Sequence, residues 1–210
     1  MAIAKSTAVD VQFSIKTNFP DVQRQLSALR DDVRSKVLAS AMNKTVEQAK
    51  TQMIREITAE YNVTSTYVRD RLRIKRASFK GGALGIEAAL IGGDGKRRSA
   101  NVIRFAEQVV TLAQARKRAK DGTLGQLRFK IRKSGGKRII RGAFIGNQGR
   151  TVFIRTSDKR LPIKSVSTID VPSMFNQKKI NARVVAMIEA KFPELFARDA
   201  KFFTDKFNKP

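Results

Sequence analysis

The sequence predicts an α+β fold in which a long N-terminal helix and C-terminal helices pack on a small antiparallel β-sheet. Apolar residues recur every three or four positions towards both ends of the chain, which is typical of amphipathic helices. Between these regions, short segments alternate apolar and polar residues and are separated by glycines, which is typical of half-buried strands and turns. A chain of 210 residues with 41% hydrophobic residues can form a hydrophobic core.

The N-terminal helix is predicted to begin at Pro20-Asp21 and to continue through Ile57. Its apolar stripe consists of Val22, Leu26, Leu29, Val33, Val37, Ala41, Thr45, Ala49, Ile54 and Ile57. No glycine or proline interrupts this stripe, so the helix would contain roughly 35–40 residues and measure about 55 Å. A helix of this length usually packs against other helices or against copies of itself in an oligomer. We therefore assign Leu26, Leu29 and Val33 to an assembly interface.

A second, short helix is predicted over residues 65–72, with Thr64 as its N-cap. Together with the preceding helix it suggests a helix-turn-helix in which Arg69, Arg71 and Arg73 would contact DNA. This interpretation is weak, because a DNA-reading helix needs a compact three-helix frame and the first helix is far too long for one.

The last predicted helix extends from Lys178 to Phe207. Pro193 lacks a backbone donor, so it should interrupt this helix, either by kinking it or by starting a new one. An apolar face near the end of the chain is formed by Phe192, Leu195, Phe196, Phe203 and Phe207. Core packing and docking of a neighbouring protein explain this face equally well, and we assign Phe196, Phe203 and Phe207 to an assembly interface.

The predicted strands lie between the helices, apart from one short strand near the N-terminus. They are residues 11–17, two segments within 74–92 joined by Gly81-Gly82, and residues 151–155. Residues 101–112 form either a pair of strands or a strand and a short helix. Residues 115–126 are polar, basic and punctuated by glycine, which predicts a mobile loop.

The segment with the clearest alternation, residues 128–145, is also strongly basic, and we name its residues 128–141 the basic hairpin. Phe129 and Ile131 would face a core, with cations on the opposite face. Ser134-Gly135-Gly136 is a turn signal, and residues 137–145 would return as the partner strand. The cations are Arg128, Lys130, Arg132, Lys133, Lys137, Arg138 and Arg141. Because neighbouring like charges repel, this cluster favours an anionic partner, although a solvated face is the alternative.

The charge of the whole chain favours the anionic partner. The chain has 43 basic and 18 acidic residues, a net charge of +25, and residues 69–164 hold 26 of the basic and 6 of the acidic ones. A charge of this size most often indicates a polyanion as partner. There is no Trp, and the only two Tyr residues, Tyr61 and Tyr67, lie in the helical region, so the segment lacks aromatics for stacking on single-stranded bases. Contact with duplex phosphates, without reading of sequence, is therefore predicted.

Enzyme chemistry is not predicted. The chain has no Cys and no His, so thiol catalysis, disulfides, the usual general base and the usual transition-metal ligands are missing. The six acidic residues of the basic region share no motif, whereas a metal-dependent nuclease needs clustered carboxylates. Residues 92–99, GGDGKRRS, fail as a phosphate loop because Leu90 stands where glycine is required and Arg97 follows Lys96. No cofactor or metal is expected.

The segment RGAFIGNQGRTVFIRTSDKRLPIKSVSTIDVPSMF, residues 141–175, resembles the lambda-type phage minor tail protein Z family, the tail-completion proteins. The resemblance covers about residues 20–207 and includes AMNKTVEQA at 41–49, VRDRLRIKRASFK at 68–80 and a final helix with a proline. It implies a structural virion protein that completes the head-proximal end of the tail. Such a protein would form a homo-oligomeric ring around the DNA channel and would be located in the virion, at the tail or neck.

The partners implied by the resemblance are tail tube, tail terminator or head–tail connector proteins, together with genomic double-stranded DNA. Three other readings stay open: a free, non-specific nucleic-acid-binding protein, a DNA-processing enzyme, and a basic surface that grips acidic tail or connector proteins. The sequence has neither a secretory segment nor an apolar run of 18 residues, so we expect no membrane contact and a host-cytoplasmic location during assembly. We expect one domain over residues 1–210, with a helical part at 20–72, a basic β part at 73–175 and C-terminal helices at 176–207.

Overall fold

The structure, a computed structural model, describes residues 2–6, 11–15, 22, 24, 29, 31–77, 87–93, 99–106 and 127–207. It has the predicted α+β class, with two long helices, two short ones and small antiparallel sheets. Five sequence expectations lie outside the described residues: the helix start at Pro20-Asp21, the position of Leu26, the turn at Gly81-Gly82, the end of the 101–112 segment and the loop at 115–126.

The two long helices, α1 (Asp31–Glu60) and α4 (Lys178–Phe207), pack side by side and antiparallel. Two ion pairs show the antiparallel register: Lys44 binds Asp199 at 2.8 Å and Arg183 binds Glu56 at 2.6 Å. Asp199 is buried and its two carboxylate oxygens both accept from the Lys44 ammonium. The predicted partner of the long helix is therefore a helix of the same chain.

The start of the first long helix differs from the prediction. Val22 and Arg24 are helical, but Leu29 lies in a bend and α1 begins only at Asp31. The helix therefore has 30 residues and not the roughly 35–40 expected from its stripe. The apolar periodicity continues through the bend because the residues on both sides of it pack against the same core.

Of the two outcomes predicted for Pro193, the start of a new helix is wrong, because α4 is one helix of 30 residues that contains this proline. Proline removes one backbone hydrogen bond, which usually breaks a helix. Here its neighbours Phe192, Leu195 and Phe196 are buried against the rest of the chain. Burial of large apolar side chains contributes about 1.5–3 kcal/mol each, which is enough to keep the helix continuous.

A four-stranded antiparallel sheet packs beside the helices, in the order β1-β2-β4-β3. Its strands are β1 (Ala2–Ser6), β2 (Val11–Ile15), β3 (Leu72–Lys75) and β4 (Ala88–Gly92). The strand at 11–15 and the pair within 74–92 are confirmed. The sequence did not predict β1, nor the joining of the N-terminal hairpin to β4.

Helix α2 (Ser65–Arg69) connects α1 to β3 and is shorter than predicted. The Thr64 hydroxyl accepts from the Tyr67 N–H at 3.3 Å, which confirms Thr64 as the N-cap. The predicted end at residue 72 is wrong, because Leu72 is buried as the first residue of β3. Because β3 pairs with β4, residues that helical periodicity alone would assign to the helix belong to a strand instead.

The remaining strands form three small antiparallel sheets, not one sheet with the others. A three-stranded sheet has the order β10-β9-β8, and two-stranded sheets pair β11 with β5 and β6 with β7. Their bounds are β5 (Ser99–Asn101), β6 (Arg128–Phe129), β7 (Arg138–Ile139), β8 (Phe144–Gly146), β9 (Thr151–Arg155), β10 (Ile163–Ser165) and β11 (Ser167–Ile169). A 3₁₀ helix (Val102–Phe105) follows β5, and α3 (Val171–Phe175) follows β11.

Two clusters of buried side chains hold these elements together. The main core joins α1, α3, α4 and the four-stranded sheet. A smaller second core consists of Val102, Ile103, Phe129 and Val152. Asn101 connects the second core to β9, because its side-chain amide bonds the N–H and C=O of Val152 at 2.9 and 3.1 Å. The basic hairpin lies where the two cores meet.

Candidate nucleic-acid interface

The basic hairpin forms as an antiparallel pair, but its paired part is short. Strand β6 pairs with β7, so that Arg128 faces Ile139 and Phe129 faces Arg138. The Gly135 N–H donates to the Arg132 carbonyl at 3.1 Å and closes the predicted turn.

The predicted return strand over residues 137–145 is wrong beyond Ile139. A second turn follows, closed by the Ala143 N–H donating to the Ile140 carbonyl at 3.2 Å. Gly142 has a φ of 70°, a conformation that favours glycine and reverses the chain there. Phe144 then begins β8, which pairs with β9.

The first strand of the hairpin is fixed to its surroundings by main-chain hydrogen bonds. The Lys130 N–H donates to the Phe105 carbonyl at 3.0 Å, and the Asn62 N–H donates to the Ile131 carbonyl at 2.9 Å. The Lys133 N–H donates to the carbonyl of Glu60, the last residue of α1, at 2.9 Å. This bond occupies one of the carbonyls that a helix leaves unpaired at its end.

The apolar residues of this strand face inward, as the alternation predicted. Phe129 is 1% exposed in the second core, and Ile131 packs against the main core. The strand therefore connects the two cores, and its backbone position is held from both sides. The backbone that carries the cations of this strand is therefore fixed in position, even though their side chains extend into solvent.

Six of the seven predicted cations are exposed, and Lys130 is half-buried. Arg132 forms an ion pair with Glu60 at 3.7 Å, and its guanidinium lies 5.6 Å from the centre of the Tyr61 ring. Among the described residues, no carboxylate lies within ion-pair distance of Arg128, Lys133, Arg138 or Arg141. The hairpin therefore presents a positive surface of which the described residues neutralise only a part.

The helix-turn-helix interpretation is not supported by the positions of its arginines. The Arg71 guanidinium lies 3.5 Å from the carboxylate of Asp170 and stacks on Tyr67, with 3.8 Å to the ring centre. Arg73 donates to the Gly93 carbonyl at 3.1 Å. These side chains hold α2, β3 and α3 together, so they are not arranged as a row for reading bases.

Asp170 is the centre of this group of side chains and is 3% exposed. Its carboxylate accepts from the Tyr67 hydroxyl at 2.8 Å and, as the N-cap of α3, from the Val171 N–H at 2.7 Å. Burial, followed by the hydrogen bond to Asp170, raises the pKa of Tyr67 above its ordinary value. The hydroxyl therefore stays protonated and keeps donating over the physiological pH range.

The residues assigned to assembly have different positions. Val33 and Phe196 are buried in the main core, and Leu29, Phe203 and Phe207 are half-buried against it. Leu26 lies outside the described residues. Within one chain Val33 and Phe196 therefore serve the packing of the core, and a role between copies stays a prediction for all six. Phe202, which is 60% exposed beside Phe203, was not identified from the sequence. Adjacent residues of a helix point about 100° apart, so Phe202 and Phe203 cannot both face the core.

Sequence reasoning also missed an open depression between α1, α2 and β3. It measures about 420 Å³ and contains apolar side chains beside cations. Its lining residues are Glu47, Lys50, Thr51, Ile54, Arg55, Arg69 and Ile74. The lining comes from two helices and a strand, with cations from both helices, and for this reason no local pattern indicated the depression.

No candidate metal or membrane-spanning site is found in the described ranges. Those residues contain no group of three or more acidic side chains placed to hold a metal ion. None of the helices described is both long and apolar enough to cross a bilayer. Of the acidic residues in the basic region, Asp70 and Asp158 are exposed, and Asp94, Glu107 and Asp121 lie outside the described residues.

The fold and this site define a strongly basic α+β protein with a firmly held cationic hairpin. The chain belongs to the prophage minor tail protein Z (GPZ) family, whose model matches residues 21–203. It is therefore a structural protein of a phage tail, as the resemblance implied. No curated protein and no solved structure matches the chain.

Proposed function

We propose that the chain completes the head-proximal end of the tail, as a homo-oligomeric ring around the DNA channel, with the basic hairpin facing duplex DNA. The observation behind this proposal is the combination of exposed cations with a strand fixed by hydrogen bonds on both sides. In a ring, the hairpins of all copies would converge on one axis. Tail tube, tail terminator or head–tail connector proteins would be its neighbours.

The chemistry of the hairpin suits contact with phosphates. Duplex DNA has one negative charge per about 1.7 Å of its axis, so a channel lined with Lys and Arg meets dense opposite charge. The hairpin has no exposed aromatic side chain for stacking on bases, because Phe129 is buried. Contact with phosphates alone leaves DNA able to slide, which passage through a tail requires.

A free, non-specific nucleic-acid-binding protein is the second candidate, because the same hairpin would bind DNA without any tail. The two candidates differ in where the protein is found. A tail-completion protein is a fixed part of assembled particles, whereas a free binding protein is absent from them.

The experiment is a map of the protein within assembled particles, at a resolution that shows which surface residues 128–141 face. We expect the hairpin to line the central channel. A hairpin on the outside of the particle, or buried against another protein, would refute its role at DNA. Absence of the protein from particles would refute the tail position and favour the free nucleic-acid-binding protein.

Charge variants test the hairpin in solution. Replacing Arg128, Arg138 and Arg141 together by Gln should make duplex binding less dependent on salt. The slope of the logarithm of the binding constant against the logarithm of the salt concentration should decrease in magnitude by roughly 0.9 for each cation that contacts a phosphate. The control replaces three exposed cations of α4, Lys178, Lys179 and Lys201, by Gln and has the same net charge. Equal loss in the two variants would mean that total charge, and not the hairpin, determines binding.

A further inference from the structure

The β9–β10 hairpin contains the longest uninterrupted run of exposed residues in the described part of the chain. Among the strands of the described residues, β10 is outermost in its sheet, with β9 on one side and none of the others beside it. Eleven consecutive residues, 155–165, are all exposed. This segment includes β10 itself, so both faces of the strand and its outer edge are accessible.

The main chain of β10 leaves hydrogen-bonding groups at this outer edge. The Thr156 N–H donates to the Pro162 carbonyl at 3.3 Å, and the Val166 N–H donates to the Val152 carbonyl at 2.9 Å. Since bonding alternates along an antiparallel pair, residues 162 and 164 and the N–H of Val166 face β9, while the Val166 carbonyl accepts from the Val102 N–H at 3.0 Å. The N–H and C=O groups of Ile163 and Ser165 then point away from the sheet. Within the described ranges, no hydrogen bond engages them.

Pro162 does not block this edge. A proline in a strand usually prevents pairing on the side of its missing donor. Here that side faces β9, because Pro162 is the residue opposite Thr156. The outward donors of Ile163 and Ser165 are therefore intact.

The side chains around the edge combine apolar and cationic groups. Leu161 is 65% exposed and Ile163 is 39% exposed, and they are two of the four large apolar side chains exposed in the described part of the chain. Four cations surround them against a single acidic residue, Asp158. The cations are Arg155, Lys159, Arg160 and Lys164.

We propose that the β10 edge binds an extended, acidic segment of another tail protein, which adds to the sheet as a fourth strand. Main-chain groups would provide the pairing, Leu161 and Ile163 would provide the apolar contact, and the four cations would select for acidic residues. The identity of the partner as a tail component rests on the proposed function, but the edge and its chemistry do not.

DNA and a second copy fit this edge less well. Phosphates can accept from main-chain N–H groups, but they leave the outward carbonyls unpaired and gain nothing from exposed Leu161 and Ile163. The described strands contain no acidic residue, so none of them in a second copy would match the cations of this edge, and Lys164 repels basic strands. A heterologous acidic strand satisfies the donors, the apolar side chains and the charge together.

Two substitutions test the edge, and a third is the control. Ser165→Pro removes an outward donor and leaves the bonds to β9 in place, and Ile163→Asp adds repulsion to an acidic strand. Gln148→Glu adds the same charge at the exposed turn between β8 and β9, at the opposite end of the sheet. The amount of each variant in purified tail particles is compared with wild type, and circular dichroism checks that each is folded.

Both edge variants should be reduced about tenfold or more in particles, with duplex affinity within about threefold of wild type, and Gln148→Glu should resemble wild type. Incorporation of both edge variants at wild-type levels would overturn the proposal. So would loss of duplex affinity in Ile163→Asp beyond that of Gln148→Glu, because the edge would then belong to the DNA-binding surface.

A photo-crosslinking residue at position 165, with position 148 as control, identifies the partner directly in prophage-induced cells. We expect position 165 to link to an acidic segment of another tail protein. Linkage to DNA or to a second copy, or the same products from both positions, would overturn the proposal. Since this readout does not depend on purified particles, it decides the β10 edge even if the protein is absent from them, a result that would refute only the proposed function.

Discussion

Replacing Asp170 by Ala tests whether one buried carboxylate holds the start of α3 against residues 67–71, which lie about 100 positions earlier in the sequence. The side chain is 4% exposed and accepts from the Tyr67 hydroxyl and the Val171 N–H, while Arg71 pairs with it at 3.5 Å. The substitution removes the cap of α3 and leaves the hydroxyl of Tyr67 and the charge of Arg71 without this partner. All three losses reduce the stability of the folded state.

The magnitude follows from these contacts. Loss of an N-cap costs about 1 kcal/mol, and loss of one partner of a buried ion pair costs about 3–5 kcal/mol. The side chain of Arg71 is 26% exposed, so water compensates part of its charge and the lower end applies. We expect a decrease of about 3 kcal/mol in the free energy of unfolding, or about 6–12 °C in the melting temperature.

Urea and thermal unfolding followed by circular dichroism measure this change. Asp170→Asn keeps an acceptor for Tyr67 and Val171 but loses the charge that pairs with Arg71, so it should cost less than Asp170→Ala by the roughly 1 kcal/mol of the retained N-cap. Asp158→Ala is the control, because Asp158 is exposed in the β9–β10 hairpin and should change stability by less than about 0.5 kcal/mol. If Asp170→Ala is as stable as the control, the carboxylate does not hold these elements together.

Three further predictions concern other contacts. Because the pKa of Tyr67 is raised in the folded protein, this side chain ionises first in the unfolded chain above about pH 10. The free energy of unfolding should therefore fall there by up to about 1.4 kcal/mol per pH unit relative to Tyr67→Phe. Urea titrations at several pH values measure this, and the same pH dependence in both proteins would contradict it. Gly92→Ala should cost about 1–3 kcal/mol in urea unfolding, because its Cβ would lie 2.7 Å from a ring carbon of buried Phe175, whereas Gly136→Ala meets nothing within 4 Å and should be neutral. Phe129→Ala should cost about 3–5 kcal/mol and speed proteolysis within the hairpin; an unchanged cleavage rate would show that the second core does not hold it.

The sequence was informative where a local pattern determines the structure. The helix over Lys178–Phe207, the N-cap at Thr64 and the strand over Thr151–Arg155 all have the predicted bounds or role. In each, the signal is a periodicity or a capping residue within a few positions. The inward faces of Phe129 and Ile131 belong to the same group, because alternation alone specifies them.

Contacts between distant residues were not predictable in this way. Lys44 and Asp199 are 155 positions apart, and Tyr67 and Asp170 are 103 apart. No periodicity connects such pairs, since they depend on how α1, α4 and α3 are brought together. Arg71 is an example. Its place among Arg69, Arg71 and Arg73 suggested contact with DNA, whereas its ion pair with the buried carboxylate of Asp170 gives it a structural role.

Glu60 offers the sharpest test of whether the basic hairpin binds DNA through Arg132. Its carboxylate pairs with Arg132 at 3.7 Å, where both side chains are partly exposed. A phosphate that contacts Arg132 must therefore compete with this carboxylate. Glu60→Gln removes the competitor and one negative charge beside the hairpin, so duplex affinity should rise.

The gain is set by the strength of the pair, about 0.2–1 kcal/mol for a partly exposed ion pair, which corresponds to an increase of about 1.4- to fivefold. Glu56→Gln removes the same charge one helical turn earlier, where the carboxylate pairs with Arg183 of α4. Fluorescence titration of both variants with one short duplex at a single salt concentration separates the local effect from net charge. A hairpin that faces DNA makes Glu60→Gln the tighter binder, whereas equal affinities would mean that Arg132 does not contact phosphate and that the positive surface serves another partner.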